Sequence, residues 1–288
     1  MCKKCRPYDK SMKKRILFVT ALILTFFLVL SCTTIKVRDY ELDTSLLAEK
    51  SQIKIVLISD LHSTIFGKDQ TTLIELIKKE KPDLIVLSGD IVDDVVPDLG
   101  AGLLLSGIKD IAPIYYVTGN HEYWSGNVQN IRKWLQSYQV NILSDTYVPL
   151  NINNNEIILA GIEDPDKKLF ETPDYNQKII MESTFRELDE KISYKILIAH
   201  RPENIETYKK YSFNLVLSGH THGGQVRIPY IMNGLYARNQ GLFPKYAGGL
   251  YQLNNTTLII SRGLSVNFWR PRIFDNPELV VITIESNN

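Results

Sequence analysis

The sequence predicts an α/β fold in which two β-sheets pack face to face with helices outside. Three observations predict it. Strand-like and helix-like segments alternate through residues 53–138. After a hairpin the alternation resumes near residue 180. Each half also sets its polar motifs directly after apolar runs. In open α/β sheets, ligands bind beyond the carboxyl ends of strands, so these motifs mark the expected site.

The elements follow in order. Ile53–Ile58 is apolar and β-branched, as in a buried strand. Asp69 is placed to cap a helix running to about Lys79, with Leu73, Ile74, Leu76 and Ile77 inward. Lys81-Pro82-Asp83 breaks that helix, and Leu84–Ser88 forms the next strand. A short helix over 99–109 precedes a strand over 113–118, and Val128, Ile131 and Leu135 have helical spacing. Segments 147–150 and 156–160 flank Asn151–Asn155 as a hairpin. A helix over 180–192 leads to a strand at 195–199, and a shorter helix near 203–210 leads to one at 213–218. Residues 223–256, rich in Gly, Tyr and Pro, read as long loops with short strands. Segments 257–261 and 278–284 close the chain as strands.

A chain of 288 residues suffices for one large domain or two small ones. Its 44% hydrophobic and 23% charged residues are ordinary for a globular protein, and no internal repeat is visible. The N-terminus differs from the rest. Seven Lys or Arg residues precede an uncharged apolar run from Ile16 to Leu30. That pattern is a signal-like segment over 1–32, slightly short for a comfortable membrane span. It ends in Val29-Leu30-Ser31-Cys32, similar to a bacterial lipoprotein box; an uncleaved signal anchor is the alternative. Either way, positive-inside bias puts the body of a membrane-anchored protein on the extracytoplasmic side. Residues 33–52 read as a polar tether and 53–288 as the working domain.

Cys2, Cys5 and Cys32 all fall in the first segment, so no disulfide staples the body. Cys2-x-x-Cys5 alone is a weak zinc signal. The first 32 residues carry seven cations and one anion, and the whole chain nets +1, which leaves the body at −5. A mildly acidic body argues against nucleic acid as a partner.

All five histidines follow strand-like runs. They sit in Asp60-Leu61-His62, Gly119-Asn120-His121-Glu122, Ala199-His200 and Gly219-His220-Thr221-His222. The run Leu84–Ser88 instead ends in Gly89-Asp90-Ile91-Val92-Asp93. Imidazole is the commonest metal ligand and a ready proton carrier near neutral pH. One such motif can be an ordinary turn; five in one chain point to a site.

In their order and spacing, these motifs make residues 53–285 resemble the calcineurin-like metallophosphoesterase superfamily. Leu217-Ser218-Gly219-His220-Thr221-His222-Gly223-Gly224-Gln225-Val226-Arg227-Ile228-Pro229, with Ser261-Arg262-Gly263-Leu264, is similar to a branch of membrane-associated bacterial phosphodiesterases. The resemblance implies a four-layer α-β-β-α sandwich with two mixed β-sheets. It also implies two divalent metal ions, Mn, Fe or Zn. Asp60, His62 and His222 would bind one, Asn120, His200 and His220 the other, and Asp90 would bridge them. Water activated by both ions would attack phosphorus. His121 would protonate the leaving group, with Asp93 as its orienting partner, and Glu122 would support a ligand histidine.

Residues 226–272 interleave basic and aromatic groups, among them Arg227, Tyr230, Tyr236, Arg238, Phe243, Lys245, Arg262 and Arg270. Such a rim suits a phosphorylated small molecule, lipid or surface polymer. Arg201, Arg227 and Arg262 are the candidate substrate-binding residues. The expected activity is phosphodiester hydrolysis. A nucleotide-lipid pyrophosphatase and a catalytically silent metal-site binding protein are the alternatives.

Overall fold

Residues 13–20, 33–267 and 270–287 are described by the structure, a computed structural model. In chain order, the first part contains strands β1 (Lys36–Thr44), β2 (Gln52–Ile58), β3 (Leu84–Ser88), β4 (Ile114–Val117) and β5 (Val140–Ile142). Helices α1 (Thr71–Glu80), α2 (Leu99–Ile108), α3 (Asn120–Trp124) and α4 (Val128–Ser137) run between them. The second part contains β6 (Thr146–Ile152), β7 (Asn155–Ile162), β8 (Tyr194–Ala199), β9 (Leu215–Ser218), β10 (Tyr236–Ala237), β11 (Gly241–Leu242), β12 (Gly249–Leu253) and β13 (Thr256–Ile260). The last strand, β14 (Glu278–Ser286), returns to the first part.

Two six-stranded mixed sheets result, in the orders β1-β14-β2-β3-β4-β5 and β12-β13-β9-β8-β7-β6. The neighbours β2, β3, β4 and β5 run parallel, as do β13, β9, β8 and β7. Alternate side chains of each central strand therefore serve two cores. Ile53, Ile55 and Leu57 of β2 share the inter-sheet core with Ile196, Ile198, Leu215 and Leu217. Val56 and Ile58 turn the other way, towards Leu73, Ile77, Leu104 and Leu105 of α1 and α2. Leu197, Val216 and Leu258 of the second sheet likewise pack against Met181, Phe185 and Tyr208. Strands buried on both faces need unbroken apolar runs, which is why these strands do not alternate with polar residues. Each such buried side chain contributes about 1.5–3 kcal/mol.

Three elements differ from the sequence reading. Residues 33–52, expected as a tether, contain β1, which pairs in parallel with β14 at the sheet edge. Lys36, Arg38, Asp39, Glu41 and Asp43 make it polar, as edge strands are. Asp69 does not cap α1: Gln70 takes that position, and its buried side chain receives the Phe66 amide at 2.6 Å. The helix expected over 180–192 breaks into a short α-turn, a wide turn over Met181–Phe185 and a tight one over Arg186–Glu190. Ser183 Oγ donates to the Ile180 carbonyl at 3.3 Å there, a local bond that competes with the regular ladder.

Residues 13–20 are helical and expose Ile16, Leu17, Phe18 and Val19. Among the described residues, no helix is long and apolar enough to cross a membrane. The rest of the apolar run, the lipoprotein-like box and all three cysteines lie outside the described residues.

Candidate metal centre

The site forms where the carboxyl ends of both sheets meet. β2 delivers Asp60 and His62, β3 delivers Asp90, and β4 leads into Asn120 at the start of α3. From the second sheet, β8 ends one residue before His200, and β9 leads to His220 and His222. The backbone is forced to present them. Asp60, His62, Asp90, His220 and His222 all have positive φ, between 45° and 71°. Non-glycine residues rarely adopt that region, and clusters of them mark functional sites. Gly89, at φ 88°, allows the close approach: a Cβ there would lie 2.6 Å from the Gly119 nitrogen and 2.7 Å from His200 Nδ1.

Among the described residues, three groups of side chains converge tightly enough to hold a cation: His62, Asp93 and His121, and two that share Asp90, namely Asp60, His62, Asp90 and His222, and Asp90, His200 and His220. The Asp90 Oδ2 stands 3.2 Å from His200 Nε2 and 3.6 Å from His62 Nε2. Two buried atoms in this space have no hydrogen-bond partner, His62 Nε2 and Asn120 Oδ1. Both are lone-pair donors of the kind a hard or borderline cation takes. The residues thus fit two metal ions.

The far side of each imidazole is held. His62 Nδ1 pairs with Asp93 Oδ2 at 2.8 Å, and His200 Nδ1 with the Ser88 carbonyl at 2.7 Å. His222 Nδ1 lies 3.0 Å from Ser265 Oγ. His220 faces the site with Nδ1, and the Asn239 side-chain amide lies 3.2 Å from its Nε2. Such partners fix the ring and leave the other nitrogen for the metal. The carboxylates are held too. Ser59 Oγ donates to Asp60 at 2.5 Å, and the His121 amide donates to Asp90 Oδ1 at 2.9 Å.

Electrostatics agree. Burial alone would raise the Asp90 carboxyl, but His200, His62 and His121 more than offset that and hold it well below its ordinary range. Burial also disfavours charge on His200, yet Asp90, Asp60 and Asp164 lift its pKa to about 10. Protons and cations compete for the same nitrogen, so this anionic surround also favours a metal ion. Burial, reinforced by neighbouring cations, keeps His220 and His222 neutral, as ligands must be.

Beside the ligand groups lies a cavity of about 580 Å³. His62, Asp93, Asp94, His121, Trp124, His222, Arg238 and Arg270 supply its polar wall, and Val95, Val96 and Val266 an apolar one. The His121 ring packs 4.6 Å from Trp124, and its Nδ1 pairs with Asp94 Oδ1 at 2.6 Å. The paired nitrogen leaves Nε2 for the cavity.

The profile of the calcineurin-like phosphoesterases matches residues 53–224. The chain belongs to that family. It is therefore a phosphoester hydrolase of a dimetal-dependent kind. This phosphoesterase is 28% identical over 256 residues to an uncharacterized metallophosphoesterase of Aquifex aeolicus, covering 87% of this chain and 92% of that one. Identity to an uncharacterized metallophosphoesterase of Campylobacter jejuni is 30%, covering 94% of this chain and 70% of the relative. A Danio rerio transmembrane protein with metallophosphoesterase domain is 26% identical, with 84% of this chain and 55% of that protein covered. Haemophilus influenzae NAD nucleotidase shares the fold: TM-score 0.51 at 17% identity, over 76% of this chain and 46% of that chain.

Within this phosphoesterase, five residues sit otherwise than the sequence reading expected. Asp93 pairs with His62 rather than serving mainly His121, from which it lies 3.6 Å; Asp94, the next residue, takes that partnership. The other oxygen of Asp93 receives the Val95 and Val96 amides, which fixes its direction. Arg201 is buried and clamped by Asp164 at 2.6 Å and Asp166 at 3.0 Å. Arg262 is also buried, donating to Asn233 and Gly248 beside Asp275 and Glu278. Arg227 is absent from the cavity wall, and its electrostatic neighbours are Arg262, Arg38, Asp275 and Glu278.

Glu122 does not touch a ligand histidine. Its carboxylate receives the amides of Asp90, Ile91 and Gly119 at 2.8–3.0 Å, tying the β3 and β4 loops together. Burial, with Asp90 nearby, raises its pKa to about 7. Asp94, Ser265, Asn239 and Trp124 went unassigned in the sequence. Only the adjacent pair Asp93-Asp94 offered a signal there.

Proposed function

We propose that this phosphoesterase hydrolyses a phosphodiester outside the cytoplasm, using two divalent cations of the Mn, Fe or Zn kind. The observation that carries the reading is Asp90, whose Oδ2 lies between His62 and His200 and belongs to both ligand groups. Asp60, His62 and His222 would hold one ion, Asn120, His200 and His220 the other, with Asp90 between them. When bound, such a pair lowers the pKa of water to supply a nucleophile and offsets charge on phosphoryl oxygens.

The chain's own groups do the rest. Asp93, Ser88 and Ser265 hold three imidazoles so that the lone pairs facing the site are fixed before substrate arrives. As water oxygen joins phosphorus and the ester P–O bond breaks, the leaving oxygen takes a proton from His121 Nε2. Asp94 accepts from Nδ1–H and orients the ring that donates. The valine wall of the cavity favours an ester with an organic group on each side. The basic and apolar N-terminus, and the resemblance to a transmembrane relative, support anchorage with this domain outside.

The test is hydrolysis of bis-p-nitrophenyl phosphate by chelator-treated protein, with and without added Mn²⁺, Fe²⁺ or Zn²⁺. Metal-dependent release of p-nitrophenol supports the reading. No release with any of the three overturns it.

A further inference from the structure

With Arg201, Arg227 and Arg262 placed elsewhere, the cavity wall keeps two arginines to meet an anionic ester, Arg238 and the exposed Arg270. The geometry points to Arg238 as the residue that binds the substrate's phosphoryl oxygens. The inference rests on the phosphodiester reading above and adds a subsite to it.

Arg238 sits at the tip of a hairpin in which Tyr236 pairs with Leu242 and Ala237 with Gly241. Its guanidinium lies over the Trp124 ring, 4.2 Å from the centroid. Among the described residues it forms no ion pair, unlike the buried Arg201, Arg262 and Arg272. It also lines the cavity together with His121. Stacking holds a guanidinium in plane and leaves its N–H edge free for two acceptors, which suits a phosphoryl group.

The hairpin tip is pinned on both sides of this arginine. Trp124 Nε1 donates to Asp166 at 2.8 Å, which fixes the ring beneath it. Asn239, next in the chain, donates to Glu203 at 2.9 Å and lies 3.2 Å from His220 Nε2. Gln240 then accepts from the Tyr246 amide at 3.0 Å and donates to its carbonyl at 2.8 Å. Arg238 thus stacks on the ring that touches the proposed proton donor, and its chain neighbour Asn239 touches a ligand of the second ion. The match to the family profile stops at Gly224, before this hairpin.

The experiment compares the full-length chain in detergent with Arg238→Ala and Arg238→Lys. Inorganic phosphate is titrated calorimetrically into Mn²⁺-loaded and chelator-treated protein, and bis-p-nitrophenyl phosphate kinetics are measured in parallel. Arg238→Ala is expected to weaken phosphate binding about tenfold in both forms, a charge-assisted contact being lost. kcat/KM should fall about 100-fold, with metal content and Tm unchanged. Arg238→Lys should recover only part, because a point charge lacks the fork. Phosphate affinity within twofold of the parent would overturn the inference. A parent that binds phosphate through Arg238 yet turns over no diester would refute the proposed reaction and leave the subsite standing. Full activity in Arg238→Ala would do the reverse.

Discussion

The floor of the cavity and its rim are built by different means. Floor residues lie within a few positions of a strand end, and their backbone is set by the sheets. Rim residues hang on loops after residue 223, where position depends on hairpins, glycines and side-chain clamps. On the floor, residue type and place in the chain determine role. On the rim they do not: five arginines of similar sequence context divide into two buried clamps, Arg262 and Arg272, one cation beside them, Arg227, and two on the cavity wall, Arg238 and Arg270.

The comparison can be broken most sharply at Asp90. Asp90→Ala should lose both ions by metal analysis and lower turnover by more than about 1,000-fold, beyond the 10–100-fold typical of groups that only support a ligand. Retention of both ions would show that the floor does not depend on its shared carboxylate. His121→Ala should keep both ions and lose about 100- to 10,000-fold. The loss should be smaller for p-nitrophenyl esters than for alkyl esters, whose leaving oxygen needs the proton more. An equal loss for both would remove His121 as the proton donor.

Neighbouring carboxylates give a finer comparison. Asp93→Asn should weaken metal affinity about 10–100-fold, because Asp93 holds His62. Asp94→Asn should leave metal affinity unchanged and lower turnover alone, because Asp94 holds His121. Metal titration of both variants checks this, and equal effects would erase the distinction.

The smallest effect on chemistry belongs to the rim clamp. Arg262→Ala should destabilise the fold by about 3–5 kcal/mol, because buried Asp275 then keeps only Arg272 and buried Glu278 only the more distant Arg38. Burial already raises both carboxyls, against the pull of Arg262. An acid with a raised folded pKa binds its proton first in the folded state, so stability falls as pH rises through that window. The deficit of the variant should therefore shrink on acidification, measurable as Tm between pH 7 and 5.

These contrasts explain what the sequence could reveal. The central strands were legible because double-sided burial demands unbroken apolar runs. The floor was legible because each motif is contiguous with a strand. β1 was not, since its charges look like linker and its partner β14 lies at the other end of the chain. Arg201 was misread because its clamp, Asp164, is 37 residues away, and nothing in the local sequence records that pairing. Asp93 and Asp94 are adjacent and chemically alike. Only the turn that aims one at His62 and the other at His121 tells them apart.

The left-handed backbone at five floor residues carries a consequence for supply rather than for chemistry. Each such conformation costs on the order of 1 kcal/mol or more. Together they approach the lower end of a domain's whole net stability, roughly 5 kcal/mol. Ions that bind only the folded arrangement offset that strain by mass action. Divalent cations in the surroundings would then set how much of this protein stays folded, and starvation for them would lower its abundance as well as its rate.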